Sequence, residues 1–169
     1  MILTFYDYME HFLEQHQAKT IVEIGSDDGL QLAQYMAPHC DRLYSVNFPQ
    51  DHARMRRYKT YQNGDCANIE LLSGDATHLP DLICHADLIV LYNVLIDGNG
   101  GKDSALMWKY TSGAKSKDEK WKELAGRFQK AAEDAYRGFL KVAKPGYVIT
   151  FGAPGTNAGL RKMLVSKAH

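Results

Sequence analysis

The sequence contains no apolar run that approaches the ~20 residues of a membrane-spanning helix. Residues 1–7 also lack the charged-then-apolar order of a secretory signal peptide. The three cysteines, Cys40, Cys66 and Cys84, are far apart and form neither a CxxC pair nor a Cys/His spacing suited to a metal. We therefore expect a cytoplasmic protein with free thiols, no membrane span and no bound metal.

Neither sign of charge is in excess, because 20 lysine and arginine residues balance 20 aspartate and glutamate residues. Nucleic-acid-binding domains are usually basic, so the balance argues against such a partner, although it leaves room for a local basic face. The 45% hydrophobic and 24% charged content of the 169 residues is typical of a globular protein. We expect one domain, 1–169, with an N-terminal helix (1–17), an insertion loop (97–115) and a C-terminal tail (153–169).

A glycine turn, Gly-Ser-Asp-Asp-Gly at 25–29, follows a short β-branched strand at 20–25 and leads into a helical pattern. A strand that ends in such a turn and feeds a helix is where open α/β sheets bind ligands. Asp27 stands where a dinucleotide-binding G-x-G-x-x-G turn has its middle glycine, and Asp28 follows it. With Glu23 nearby, these carboxylates favour a cationic ligand over a phosphate. The alternative is a helix-capping turn in some other α/β protein.

Strand and helix patterns alternate along the rest of the chain. The predicted strands after the first are 41–47, 68–73, 86–93 and 147–152, and the predicted helices are 3–17, 28–37, 51–58 and 116–142. This alternation predicts an α/β fold with a doubly wound, mostly parallel sheet of about five strands and helices on both faces.

Three segments carry a resemblance to one family. The motif Glu-x-Gly-x-x-x-Gly at 23–29 resembles motif I of the class I S-adenosylmethionine-dependent methyltransferases, a Rossmann-like family whose cofactor carries an ammonium and a sulfonium. Gly-Asp-Ala at 74–76 and the helix, Lys-Pro-Gly turn and strand across 135–147 resemble later parts of the same family. The resemblance covers about 18–152 and implies the strand order 3-2-1-4-5. It also implies a short form that lacks the last two strands of the family.

The resemblance implies S-adenosylmethionine as the cofactor and assigns side chains to it. The assigned residues are Glu23, Gly25, Ser26, Gly29, Asn47, Asp75, Ala76 and Tyr92. In this assignment Glu23 and the glycine turn hold the methionine end. Asp75 accepts a hydrogen bond from the adenine amino group, and the Ala76 amide contacts the ring. The alternative for Asp75 is a turn that its own side chain stabilises.

Asn47 departs from the usual pattern. Nucleoside-binding α/β folds place an acid at the end of the second strand to bind the ribose hydroxyls. An amide offers one acceptor and two donors, without the charge-assisted strength of a carboxylate. Asn47 is therefore either a weaker ribose ligand or the start of the turn before Pro49.

The acceptor side is predicted at the end of the fourth strand. Tyr92, Asn93 and Asp97 are the candidates nearest the methyl acceptor, and no general base stands out. The residues there do not form the Asn/Asp-Pro-Pro-Tyr motif of many methyltransferases that act on amines of bases or side chains. The glycine-rich loop 97–115 either contacts the substrate or packs on the core. Together with the balanced charge, these features favour a small-molecule acceptor.

Three functions are compatible with the sequence. The first is a methyltransferase that acts on a small molecule rather than on nucleic acid. The second is a non-catalytic methyltransferase-like binding module or a subunit of an assembly. The third is a dehydrogenase-type nucleotide enzyme, which the acidic glycine turn opposes. An uncovered fifth strand would be an aggregation hazard, so we also expect a homodimer through that edge.

Overall fold

A computed structural model describes residues 4–25, 30–48, 67–92, 94, 96, 99, 102–103, 119–152 and 164–169. The strands are β1 (Thr20–Ile24), β2 (Arg42–Asn47), β3 (Ile69–Ser73), β4 (Leu88–Tyr92), β5 (Tyr147–Phe151) and β6 (Leu164–Lys167). They form one sheet in the order β3-β2-β1-β4-β5-β6, in which β1 to β5 are parallel. The predicted doubly wound sheet with the order 3-2-1-4-5 is confirmed.

The prediction that the sheet stops at the fifth strand is wrong. β6 pairs with β5 in antiparallel register, from Tyr147 opposite Lys167 to Thr150 opposite Leu164. This pairing fills the outer edge of β5, so the edge that led us to expect a homodimer is already covered. β6 has four residues, which is too short for the alternation of apolar and polar residues to distinguish a strand from a loop.

Helices cover both faces of the sheet, as predicted. They are α1 (Phe5–Gln15), α2 (Gln31–Met36) and α3 (Glu119–Val142), and a 3-10 turn (Ala37–His39) follows α2. α1 begins with a reciprocal cap, in which the Asp7 N–H donates to Thr4 Oγ1 at 3.1 Å and the Thr4 N–H donates to Asp7 Oδ2 at 2.8 Å. None of the helices that the structure describes is long and apolar enough to cross a bilayer. The predicted helix at 51–58 lies outside the described residues.

Alternate residues of the central strands enter two separate cores. The core under α1 and α2 contains Ile21, Leu43, Leu88, Val90 and Ile149 from the sheet, with Met9, Leu13, Leu32 and Met36 from the helices. The core under α3 contains Val22, Ile24, Val46, Ile89, Leu91 and Val148, with Ala135 and Phe139. Strands buried on both faces are normally apolar, so a buried polar side chain within them marks a position with another role.

The amino end of β4 is joined to β1 by one carboxylate. Asp87 Oδ2 accepts from the Lys19 N–H at 2.9 Å and from the Thr20 N–H at 2.8 Å, and Oδ1 lies 3.2 Å from His85 Nε2. Burial by itself would raise the pKa of Asp87, but the hydrogen bonds from the Thr20 amide, His85 and the Lys19 amide outweigh it and lower the pKa. The ionised form of Asp87 therefore stabilises the fold.

We expect Asp87→Asn to lower the free energy of unfolding at pH 7 by about 1 kcal/mol, or ~2–4 °C in Tm, because the half-exposed carboxylate is screened by water. The folded-state pKa is depressed. The stabilisation is therefore complete above the unfolded-state pKa of about 3.9 and is lost as the pH falls through the folded-state pKa. Thermal melts should show a difference in Tm between the wild type and Asp87→Asn that narrows below about pH 4. A difference that stays constant from pH 7 to pH 3 would contradict the role of the ionised carboxylate. Asp41→Asn, at an exposed position, is the control.

Candidate functional site

Three buried polar side chains meet where β1 and β2 approach their carboxyl ends. Glu23 is 2% exposed, Ser45 0% and Asn47 5%, and Glu23 lies opposite Ser45 in the parallel register. Ser45 Oγ donates to Glu23 Oε2 at 3.2 Å, and Asn47 Nδ2 donates to Ser45 Oγ at 2.8 Å. Burying such groups costs free energy unless they are hydrogen-bonded. This buried polar chain, Glu23–Ser45–Asn47, is therefore the first candidate for a ligand site.

The turn after β1 has an unusual backbone at both of its described ends. Gly25 has φ 70°, and its N–H donates to the Val46 carbonyl at 2.9 Å. A Cβ built on Gly25 would lie 2.9 Å from Val94 Cγ2, so any other residue would strain the backbone and displace Val94. Leu30, which precedes α2 and is 1% exposed, has φ 54°. Left-handed leucine is strained by roughly 1–2 kcal/mol, and such strain clusters at ligand sites.

The exit of β3 is held against the end of β2. The Gly74 N–H donates to the main-chain carbonyl of Asn47 at 3.0 Å. Next to it, Asp75 Oδ1 accepts from the Thr77 N–H and from Thr77 Oγ1, both at 2.8 Å. Ala76 is half-buried and packs on the core under α3. The side-chain-stabilised turn that was the alternative for Asp75 is thus present, and it fixes the direction of the carboxylate beside the β2 end.

The carboxyl ends of β4 and β5 carry an aromatic cluster. Tyr92 is half-buried and stacks on Phe5 of α1 and on Phe151 of β5, with ring centroids 4.8 and 5.4 Å apart. Phe5 also lies 5.1 Å from Phe151. The N-terminal helix α1 therefore packs on β4 and β5 at this cluster. The other acceptor-side candidates, Asn93 and Asp97, lie outside the described residues.

The structure brings Glu23 and Asn47 together and places Gly25 at the end of the same strand as Glu23. Ser26 and Gly29 lie outside the described residues. Ser45 was not predicted from the sequence, although a polar residue two positions before Asn47 in an apolar strand was a usable signal. Within the described ranges, no group of three or more His, Cys, Asp or Glu residues is arranged to hold a metal ion. The assembled groups are suited to binding a cation and hydroxyl groups.

No protein-family model and no curated protein matches the sequence. The structure matches an rRNA methylase from Streptococcus thermophilus with TM-score 0.56 and 12% identity, over 89% of this chain and 72% of that one. A Streptococcus mutans protein in complex with S-adenosylhomocysteine (SAH) gives TM-score 0.55 and 10% identity, over 89% and 73%. The N-methyltransferase NodS from Bradyrhizobium japonicum gives TM-score 0.53 and 17% identity, over 88% of this chain and 68% of that one. The chain has the class I methyltransferase fold.

The chain spans only part of the length of the proteins that it matches. The chain spans 62% of one NodS structure and 63% of the methyltransferase domain of bacterial CtHen1. One of the matched proteins acts on rRNA and another is an N-methyltransferase, so the fold alone does not select an acceptor. In this methyltransferase fold the buried polar chain, the Gly25 turn and Asp75 all lie at the carboxyl edge of the sheet, where doubly wound folds bind ligands.

Proposed function

We propose that this chain binds S-adenosylmethionine at the carboxyl ends of β1, β2 and β3 and transfers its methyl group to a small-molecule acceptor. The observation that carries the proposal is the buried Glu23–Ser45–Asn47 chain beside the left-handed Gly25. A carboxylate buried at a ligand-binding edge complements the positive charge of the cofactor. Gly25 gives the strand exit a left-handed backbone at a place where a Cβ would meet Val94.

Each assigned residue has a distinct part in this proposal. Glu23 and the Gly25 turn, with Ser26 and Gly29, hold the methionine end. Asn47 binds the ribose hydroxyls, and Asp75 with the Ala76 amide reads the adenine.

When bound, the cofactor supplies the activated methyl group, and the protein supplies position and electrostatics. Tyr92 stands on the acceptor side because it ends β4, next to the Gly25 exit in the sheet order. Asn93 and Asp97 are proposed on the same side from their place in the sequence. The balanced charge of 20 basic and 20 acidic residues supports a small molecule over nucleic acid as the acceptor.

Calorimetry with S-adenosylmethionine and SAH tests the proposal. We expect one site per chain, and we expect Asp75→Ala to weaken SAH binding about tenfold because an adenine hydrogen bond is lost. Thr77→Ala is the matched control, because it removes the hydroxyl that binds Asp75 Oδ1 but keeps the carboxylate. It should weaken binding by less than about threefold.

Two outcomes would count against these assignments. Equal losses in Asp75→Ala and Thr77→Ala would make Asp75 a turn residue rather than an adenine ligand. Absence of binding by the wild type would remove the proposed function, and binding of a nicotinamide dinucleotide instead would favour the dehydrogenase type.

A non-catalytic binding module of the same fold is the second candidate. The amide of Asn47 in place of an acid favours it. A methyl-transfer assay with a panel of small amines, phenols and thiols distinguishes the two candidates. Turnover supports the enzyme, whereas SAH binding without turnover on any acceptor class supports the module.

A further inference from the structure

The buried polar chain has an order of donors and acceptors that its chemistry dictates. An ionised carboxylate only accepts hydrogen bonds, so Ser45 gives its single hydroxyl proton to Glu23. The Ser45 oxygen can then only accept, and the donor facing it is Asn47 Nδ2 at 2.8 Å. Because the amide is planar, this contact turns the side-chain carbonyl of Asn47 away from Ser45. The amide is thus oriented by Glu23 through one intervening hydroxyl.

We propose that Ser45 is a positioning residue that makes Asn47 act as an acceptor for a ribose hydroxyl of the cofactor. The ribose ligand in this inference rests on the proposed function. The inference adds Ser45 to the site and explains why an amide, Asn47, stands at the end of β2 in place of the usual acid. Asn47 presents the same kind of group that a carboxylate would present to a hydroxyl donor. Glu23 already supplies a carboxyl group to the Glu23–Ser45–Asn47 chain.

An acid at position 47 would not fit this arrangement. Ser45 has one proton to donate, and both neighbours would then be carboxyl groups that are at least nine-tenths buried. The second carboxyl must either ionise next to Glu23 or bind a proton at neutral pH, and both cost stability. Asn47→Asp should therefore destabilise the protein although it restores the residue type usual at this place.

Thermal melting of the protein without ligand tests the donor order. We expect Asn47→Asp to lower Tm by about 6 °C or more. The double variant Glu23→Gln/Asn47→Asp should recover at least half of the loss in Tm, because the direction of both hydrogen bonds is then reversed. The amide at position 23 donates to Ser45, and Ser45 donates to the carboxylate at position 47. Additive losses, or an Asn47→Asp variant as stable as the wild type, would overturn the inference.

Calorimetry with two ligands tests the positioning role. We expect Ser45→Ala to weaken binding of SAH about tenfold, and to weaken binding of 2′,3′-dideoxy-SAH by less than about twofold, because only the hydroxyl contact depends on the Asn47 orientation. Ser166→Ala is the control, because Tyr136 Oη donates to Ser166 Oγ, on the face of the sheet that α3 covers. It should lower Tm without changing SAH affinity.

Equal weakening for both ligands in Ser45→Ala would make Ser45 a merely structural residue and overturn the positioning role. Absence of SAH binding by the wild type would overturn the proposed function together with the ribose contact. The melting experiment would still decide the donor order of the Glu23–Ser45–Asn47 chain by itself.

Discussion

Replacing Gly146 by alanine is expected to lower Tm by at least ~10 °C, because a Cβ there would lie 2.0 Å from the Asp87 carbonyl oxygen and 2.8 Å from the Ala143 oxygen. Both obstacles are backbone atoms, so no side-chain rotation relieves the overlap. Separating the two segments would break the bond from the Tyr147 N–H to the same Asp87 oxygen, which is 2.9 Å long and starts the β4–β5 ladder. Circular dichroism melts measure the effect.

Gly138→Ala is the control for the loss at Gly146. Gly138 is exposed in α3, and no atom lies within 4 Å of the Cβ position. Alanine is favoured over glycine within a helix by roughly 0.5–1 kcal/mol, so this variant should be slightly more stable than the wild type. A Gly146→Ala protein that melts within ~2 °C of the wild type would contradict the close approach of the Gly146 and Asp87 backbones.

The second large effect concerns the ligand. We expect Gly25→Ala to weaken SAH binding at least about a hundredfold, because two strains act on the strand exit that follows Glu23. A non-glycine residue at φ 70° costs roughly 1–2 kcal/mol, and the new methyl group would lie 2.9 Å from Val94 Cγ2. To relieve both strains, the turn would have to move away from the place proposed for the methionine end of the cofactor. Calorimetry with SAH measures the loss.

The double variant Gly25→Ala/Val94→Ala separates the two strains. It removes the side-chain overlap but keeps the left-handed backbone, so we expect it to regain about tenfold of the lost affinity. Val94→Ala alone is the control and should bind SAH within about threefold of the wild type. If Gly25→Ala binds SAH as tightly as the wild type, the cofactor does not use this turn.

The sheet could be predicted because each of its first five strands carries its own local signal. A run of consecutive apolar residues predicts β4, and the Lys-Pro-Gly turn before β5 marks the start of that strand. The order of the strands in the sheet is what the resemblance to the methyltransferase family implies. β6 has no comparable signal because four residues give little periodicity. Its pairing partner, β5, is what defines it as a strand.

The site was only partly predictable, since its contacts join residues that are distant along the chain. Glu23 and Asn47 could be selected individually as polar residues near strand ends. Their link through Ser45 depends on the β1–β2 register, which no local pattern reveals. The stacking of Phe5 on Tyr92 is similarly hidden, because it joins the first helix to the fourth strand.

A crystal structure of the protein in complex with SAH would show where the cofactor binds. We predict the methionine end at the Gly25 turn, a ribose hydroxyl about 3 Å from Asn47 Oδ1, and the adenine amino group at Asp75. SAH bound away from the carboxyl ends of β1 and β2, or crystals soaked in SAH that show the β1 exit filled by side chains, would contradict this prediction.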